Sequence, residues 1–218
     1  MKTIVCYGDS NTWGYMPKHE KPICTARNRY PWGVRWTSRL QKALGEEYRI
    51  VEAGLNGRTT AFEMPYEIAR SGLAHIDARM LESAPVDLVI VMLGTNDVKE
   101  YFNLPPYAVR CGAERLIQMI QAGGYGVDDG VPEILLVSPI HIHPSYADAW
   151  LGEEFGPKAI EKDRALAGQL KTAAENTNAH FLDAGQSITA DEADGIHMSA
   201  EGHARLAELL LEKIREIL

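Results

Sequence analysis

Five short runs rich in β-branched and aliphatic residues recur along the chain, at about 3–7, 48–53, 86–93, 133–138 and 179–182, and helical patterns fill the intervals. Asp87 to Leu93 (DLVIVML) is the most continuously apolar of them, as a strand covered on both faces has to be. Trp32, Trp36, Leu40 and Leu44 repeat every four residues, and Ala207, Leu210, Leu211, Ile214 and Leu218 form a stripe near the C-terminus. Each reads as a helix face turned to a core. Strands that alternate with helices pair in parallel through right-handed crossovers. The expected fold is therefore α/β, a three-layer α/β/α sandwich around a central, mainly parallel five-stranded sheet.

At 218 residues and 45% hydrophobic content the chain is long enough to bury one full core. It shows no internal repeat or low-complexity tract, so residues 1–218 are expected to form a single domain. The Gly123–Gly130 stretch precedes the fourth run and reads as a connection without chemistry. A formal charge of −8 leaves no basic stripe for a phosphate backbone, which argues against nucleic acid as a partner. Three widely spaced cysteines, Cys6, Cys24 and Cys111, build neither a disulfide framework nor a zinc site. Together with an N-terminal apolar run too short for a signal peptide, and no segment able to span a bilayer, they point to a cytoplasmic protein without membrane association.

In open parallel sheets ligands bind beyond the carboxyl ends of the strands, so the loops there are where chemistry is sought. After the first run comes Gly8-Asp9-Ser10-Asn11-Thr12, after the second Ala53-Gly54-Leu55-Asn56-Gly57-Arg58-Thr59-Thr60, and after the third Gly94-Thr95-Asn96-Asp97. Singly, each reads more readily as a turn that caps the next helix. Near the C-terminus Asp194-Gly195-Ile196-His197 puts a carboxylate three residues before an imidazole. That spacing allows the carboxylate to hold one ring nitrogen and leave the other free to take a proton from a serine hydroxyl. An Asp-Gly turn before a helix is the plain alternative. What separates these features from ordinary turns is their convergence, since all four loops are expected at one edge of one sheet.

In these blocks the sequence resembles the SGNH/GDSL hydrolases. GDSNT at 8–12 matches the first block, Gly57 and Asn96 the second and third, and DGIH at 194–197 the last, in the family's order from first strand to last helix. The resemblance implies the flavodoxin-like SGNH fold and a serine esterase that needs no cofactor. It also assigns Ser10 as nucleophile, His197 as base and Asp194 as its orienting partner, with the backbone N–H groups of Ser10 and Gly57 and the Asn96 amide as oxyanion hole. Asp9 and Asp97 are expected to be structural, as neither has the i,i+3 relation to His197. Asn11 stands where the family usually carries leucine, and with Trp13, Gly14 and Tyr15 following it the chain resembles the branch of arylesterases and acyltransferases that share GDSxTWG.

The expected reaction is hydrolysis of small short-acyl esters, aryl or alkyl acetates, with acyl transfer to alcohols accompanying it where the cleft excludes water. Deacetylation of acetylated sugars is the alternative within the same chemistry. Asn11, Trp13, Tyr146, Trp150 and Phe155 are expected to wall the substrate pocket. The aromatics of the 13–36 and 144–155 segments also suit subunit contacts, so a homo-oligomer is expected. Two readings of another class stay open: a metal-dependent hydrolase using His141 and His143, whose His-x-His spacing occurs in metal sites, and a non-catalytic flavin- or phosphate-binding module.

Overall fold

The computed structural model describes residues 1–24 and 27–218. Five strands, β1 (Lys2–Gly8), β2 (Tyr48–Gly54), β3 (Leu88–Met92), β4 (Glu133–Ser138) and β5 (His180–Asp183), form one sheet in the order β2-β1-β3-β4-β5. Every neighbouring pair is parallel. The helices are α1 (Ser10–Trp13), α2 (Trp36–Leu44), α3 (Gly72–Ser83), α4 (Pro106–Ala122), α5 (Gly152–Phe155), α6 (Ala159–Thr177) and α7 (Ala200–Ile217).

Side chains alternate across the strands, and the two faces bury different helices. Val5, Tyr7, Val89, Val91, Ile134 and Leu136 pack with Ile76 and Met80 of α3, Leu116 and Ile117 of α4 and Leu166 and Leu170 of α6. Ile4, Cys6, Leu88, Ile90, Leu135 and Val137 pack instead with Trp36 and Leu40 of α2 and Leu206, Leu210 and Ile214 of α7. Two cores on one sheet make the three layers expected from the alternating pattern. The central strand β3 is buried along its whole length, whereas the edge strands β2 and β5 are mostly half-exposed, so continuous apolarity belongs to the middle of the sheet.

Helix boundaries follow local chemistry. Ser71 and Ser199 cap α3 and α7, their hydroxyls accepting from the N–H groups of Ala74 at 3.2 Å and Gly202 at 3.1 Å. Pro106 opens α4, where its missing N–H costs nothing. The expected i,i+4 stripe in the second helix is shorter than its sequence period suggests. Trp32 lies in the turn before α2 and is 63% exposed, while Trp36 and Leu40 are buried. The cause is Arg35, the N-terminal cap residue of α2, whose extended backbone breaks the helical run. Of the other aromatics expected at subunit contacts, Tyr15, Tyr146 and Phe155 are buried within the chain. Among the described residues no helix is long and apolar enough to cross a membrane.

Leu88 sits at the start of the central strand with no exposure. Leu88→Ala is expected to lower the unfolding free energy by roughly 2–5 kcal/mol, read from the urea midpoint at unchanged slope.

Candidate active site

In the order β2-β1-β3-β4-β5 the direction of strand progression reverses between β1 and β3, and a crevice opens there at the carboxyl ends. The Ser10, Gly57 and Asn96 loops follow β1, β2 and β3, so all three border this crevice. Ser10 opens the one-turn helix α1, which is bracketed by its own sequence: Asp9 caps it by accepting from Asn11 N–H at 2.9 Å, and Gly14 ends it in the left-handed conformation. The serine hydroxyl is thereby held at the rim of the sheet.

The loop before α7 brings the other two groups. His197 Nε2 lies 3.0 Å from Ser10 Oγ, and His197 Nδ1 lies 2.7 Å from Asp194 Oδ2. Asp194 is wholly buried, and its second oxygen accepts from the N–H groups of Ile196 at 3.0 Å and His197 at 2.9 Å. Burial alone would raise the Asp194 carboxyl, but the imidazole and these backbone donors bring it below its ordinary value. The Tyr15 ring stacks on the imidazole at 4.2 Å between centroids. Gly195 makes the turn possible: its φ is +69°, and a Cβ there would sit 2.3 Å from Tyr146 N and 2.6 Å from the His143 carbonyl.

The second and third loops are tied to each other and to the sheet. Asn96 Nδ2 donates to the Arg58 carbonyl at 3.1 Å, which turns its amide edge into the crevice that Ser10, Gly57 and His197 also line. Asp97 accepts from Thr60 N–H at 3.0 and 3.1 Å. Beneath them Arg58 is buried, with Nη1 donating to the carbonyls of Gly8, at 2.8 Å, and Ala53, while its guanidinium lies 4.1 Å from the Tyr7 ring centroid. These two carbonyls end β1 and β2, so one arginine clamps the strand ends on which the site stands. Neither Asp9 nor Asp97 hydrogen-bonds His197; both brace loops.

The cleft has a volume of about 490 Å³. Trp13, Tyr15, Trp150, Leu151 and Phe155 are among its apolar lining residues. Its charged lining carries no sequence signal: Lys99 pairs with Glu154 at 2.8 Å and lies over the Phe155 ring, and Arg70 lies 3.5 Å from Glu67. Those charges come from loops and from α5, and no periodicity marks such positions. Trp13 is itself fixed from behind, because Arg29 donates to its carbonyl at 2.6 Å and packs on its ring while binding Glu52 at 3.1 Å.

Two of the expected wall residues stand elsewhere. Asn11 is buried with its amide on the Ile196–Met198 backbone, because a buried amide turns to backbone partners within the protein. Tyr146 is buried against Phe155 with its hydroxyl donating to the Gly156 carbonyl at 2.7 Å, and so supports the wall from outside the cleft. His141 and His143 also have local partners. His141 Nδ1 lies 2.9 Å from Asp163 Oδ2, and His143 Nδ1 lies 2.9 Å from Ser145 Oγ, with its N–H donating to the Gly195 carbonyl. Among the described residues no three histidine, cysteine or acidic side chains gather as a metal-holding group.

Burial pushes the Asp97 carboxyl up to about 6, against the hydrogen bonds from Thr60. A carboxyl whose native pKa exceeds its unfolded value binds protons more tightly when folded, so its contribution to stability falls as pH rises from about 4 to 6. Asp97→Asn removes that dependence. The stability of the variant relative to the wild type is expected to rise with pH over this window and level off above it, measured by urea denaturation at each pH.

Comparison with known proteins agrees with this geometry. The GDSL-like lipase/acylhydrolase family model matches residues 6–205. The carbohydrate acetylesterase Est24 from Sinorhizobium meliloti is similar at 35% identity with a TM-score of 0.92, over 100% of both chains. An inhibitor-bound aryl esterase from M. smegmatis is similar at 32% identity and a TM-score of 0.91, and a putative arylesterase from Agrobacterium tumefaciens at 32% and 0.87, each again over 100% of both chains. No match was found among curated proteins. With a family match over nearly the whole chain and the parallel sheet that carries it, the protein belongs to the GDSL-like lipase/acylhydrolase, or SGNH, family and is a carboxylic ester hydrolase.

Proposed function

We propose that the protein hydrolyses small, short-acyl carboxylic esters through an acyl-enzyme on Ser10. The observation that carries this reading is the chain of contacts from Asp194 through His197 to Ser10, at 2.7 and 3.0 Å, ending in the same cleft that Gly57 and Asn96 line. Ser10 Oγ attacks the acyl carbonyl as His197 Nε2 takes its proton. Asp194 holds the opposite ring nitrogen and stabilises the imidazolium that forms. The tetrahedral oxyanion is met by the N–H groups of Ser10 and Gly57 and by the Asn96 amide, whose orientation the Arg58 carbonyl presets. Collapse of this intermediate expels the alcohol, protonated by His197, and leaves the acyl group on Ser10. Water activated by the same imidazole then releases the acid.

The shape of the cleft favours short acyl groups. Its aromatic rings stand beside charged pairs, with Lys99 lying over the Phe155 ring, and those pairs would have to be stripped of water to receive a long chain. The aromatic wall over the acyl-enzyme also favours an alcohol over water as acceptor, so acyl transfer accompanies hydrolysis in this reading. Fluorophosphonate labelling and p-nitrophenyl acetate turnover test it: both are expected to vanish in Ser10→Ala, and turnover to fall about 10²–10³-fold in Asn96→Ala. Turnover that survives Ser10→Ala would remove the serine from the reaction.

A second substrate reading has its own support. Asn56 Oδ1 and Trp150 Nε1 belong to residues lining the cleft and are buried without hydrogen-bond partners. An acceptor and a donor of this kind suit the hydroxyls of an acetylated sugar, the class named for the Sinorhizobium relative. On that reading the specificity constant for acetylated xylose or glucose exceeds that for phenyl acetate, and the reverse order assigns the cleft to aryl esters.

A further inference from the structure

Asn11 directly follows Ser10, is 1% exposed and lies outside the cleft lining. Its amide is used twice. Nδ2 donates to the Ile196 carbonyl at 3.2 Å, and Oδ1 accepts from Met198 N–H at 2.9 Å. These backbone groups stand on the two sides of His197, so one side chain grips the main chain before and after the imidazole residue. The pattern demands a donor and an acceptor at fixed separation on a short stem, which is the chemistry of asparagine.

The grip is itself anchored. Asn11 N–H donates to Asp9 Oδ1 at 2.9 Å, and the Asn11 carbonyl accepts from Trp36 Nε1 at 3.1 Å. Trp36 N–H donates in turn to Nδ1 of the buried His203 at 3.3 Å. Other ties between the α1 region and the 194–198 loop reach different atoms: Tyr15 stacks on the imidazole and Lys18 N–H bonds Asp194 at 3.2 Å. Among the described residues, Asn11 is the one whose side chain bonds the backbone on both sides of His197.

We infer that Asn11 is a positioning residue that couples the nucleophile to its base, holding His197 Nε2 within 3.0 Å of Ser10 Oγ through the main chain on both sides of the imidazole. This rests on the reading of Ser10 and His197 as nucleophile and base. The two residues are 187 positions apart in sequence, and a shift of about 1 Å between reacting groups costs on the order of 10²-fold in rate. Asn11 makes this link one residue from the nucleophile, through two hydrogen bonds to the backbone on either side of the base.

Asn11→Leu keeps the approximate shape and removes both bonds. Turnover of p-nitrophenyl acetate per fluorophosphonate-titratable site is expected to fall at least fivefold, with KM within threefold of wild type. A residue that served folding alone would lower the number of titratable sites and leave turnover per site intact, so a smaller loss per site overturns the inference. Should Asn11→Leu fail to fold, Asn11→Asp keeps the acceptor for Met198 N–H and puts a carboxylate beside His197. The groups already facing that imidazole are Asp194 on its own loop, Asp9 before α1, the Tyr15 ring and, from α7, His203, which burial pushes down to about 3 and so keeps neutral. An added negative charge favours the imidazolium. With the bond to the Ile196 carbonyl lost, turnover per titratable site is expected to fall at least threefold with KM within threefold of wild type, and turnover per site equal to wild type overturns the inference. Ser10→Ala separates the two ideas: retained turnover there defeats the nucleophile reading, whereas an inactive Ser10→Ala beside an unimpaired Asn11→Leu defeats only the positioning role.

Discussion

Strand β1 hydrogen-bonds to β2 on one side and to β3 on the other, and every other feature of the site depends on that double pairing. It places Gly8 level with Gly54 and Met92, so the chain leaves three adjacent strands at one height. The reversal of strand progression at this point parts the helices that follow and leaves the crevice open. Ser10 on the first loop, Gly57 on the second and Asn96 on the third therefore line one cleft without any of them being near the others in sequence.

Loops at a sheet edge have no ladder of their own, and here side chains supply the missing order. Arg58 satisfies the carbonyls that end β1 and β2, Asn96 and Asp97 bind the second loop to the third, and Asn11 binds the first to the last. Each of these bonds joins a side chain to backbone, which is the arrangement that leaves fewest buried polar groups unpaired. The cost appears in the acids. Burial pushes Asp9 and Asp97 up to about 6, while Asp194, with an imidazole and three N–H groups on it, stays below the ordinary range. Three aspartates in one site thus differ by environment, and the one bonded to the imidazole is the one most firmly ionised.

The cleft lining mixes two kinds of group. Aromatic rings from α1, from the segment after it and from the region around α5 stand beside paired charges from the second and third loops and from α5, with Lys99 lying over the Phe155 ring. Relatives named as an aryl esterase and a carbohydrate acetylesterase share this fold.

Period and spacing carried much of this into the sequence. Strictly local signals, such as the apolar run of β3, the Asp9 cap, the Gly14 stop and the three-residue step from Asp194 to His197, can be read directly, since each depends on residues within one turn or strand. Local pattern was misleading where distant partners compete. Trp32 kept the helical period but lies in the turn before α2, and Asn11 and Tyr146 looked like cleft residues until their buried partners, 185 and 10 residues away, were in view. The charged lining of the cleft left no trace in any periodicity. Sequence alone determined the sheet and the order of its loops, because these follow from neighbours along the chain. Tertiary structure alone decided which side chains face the substrate and which brace the site, because a polar group turns toward whichever buried partner lies within about 3 Å, and those partners come from remote parts of the chain.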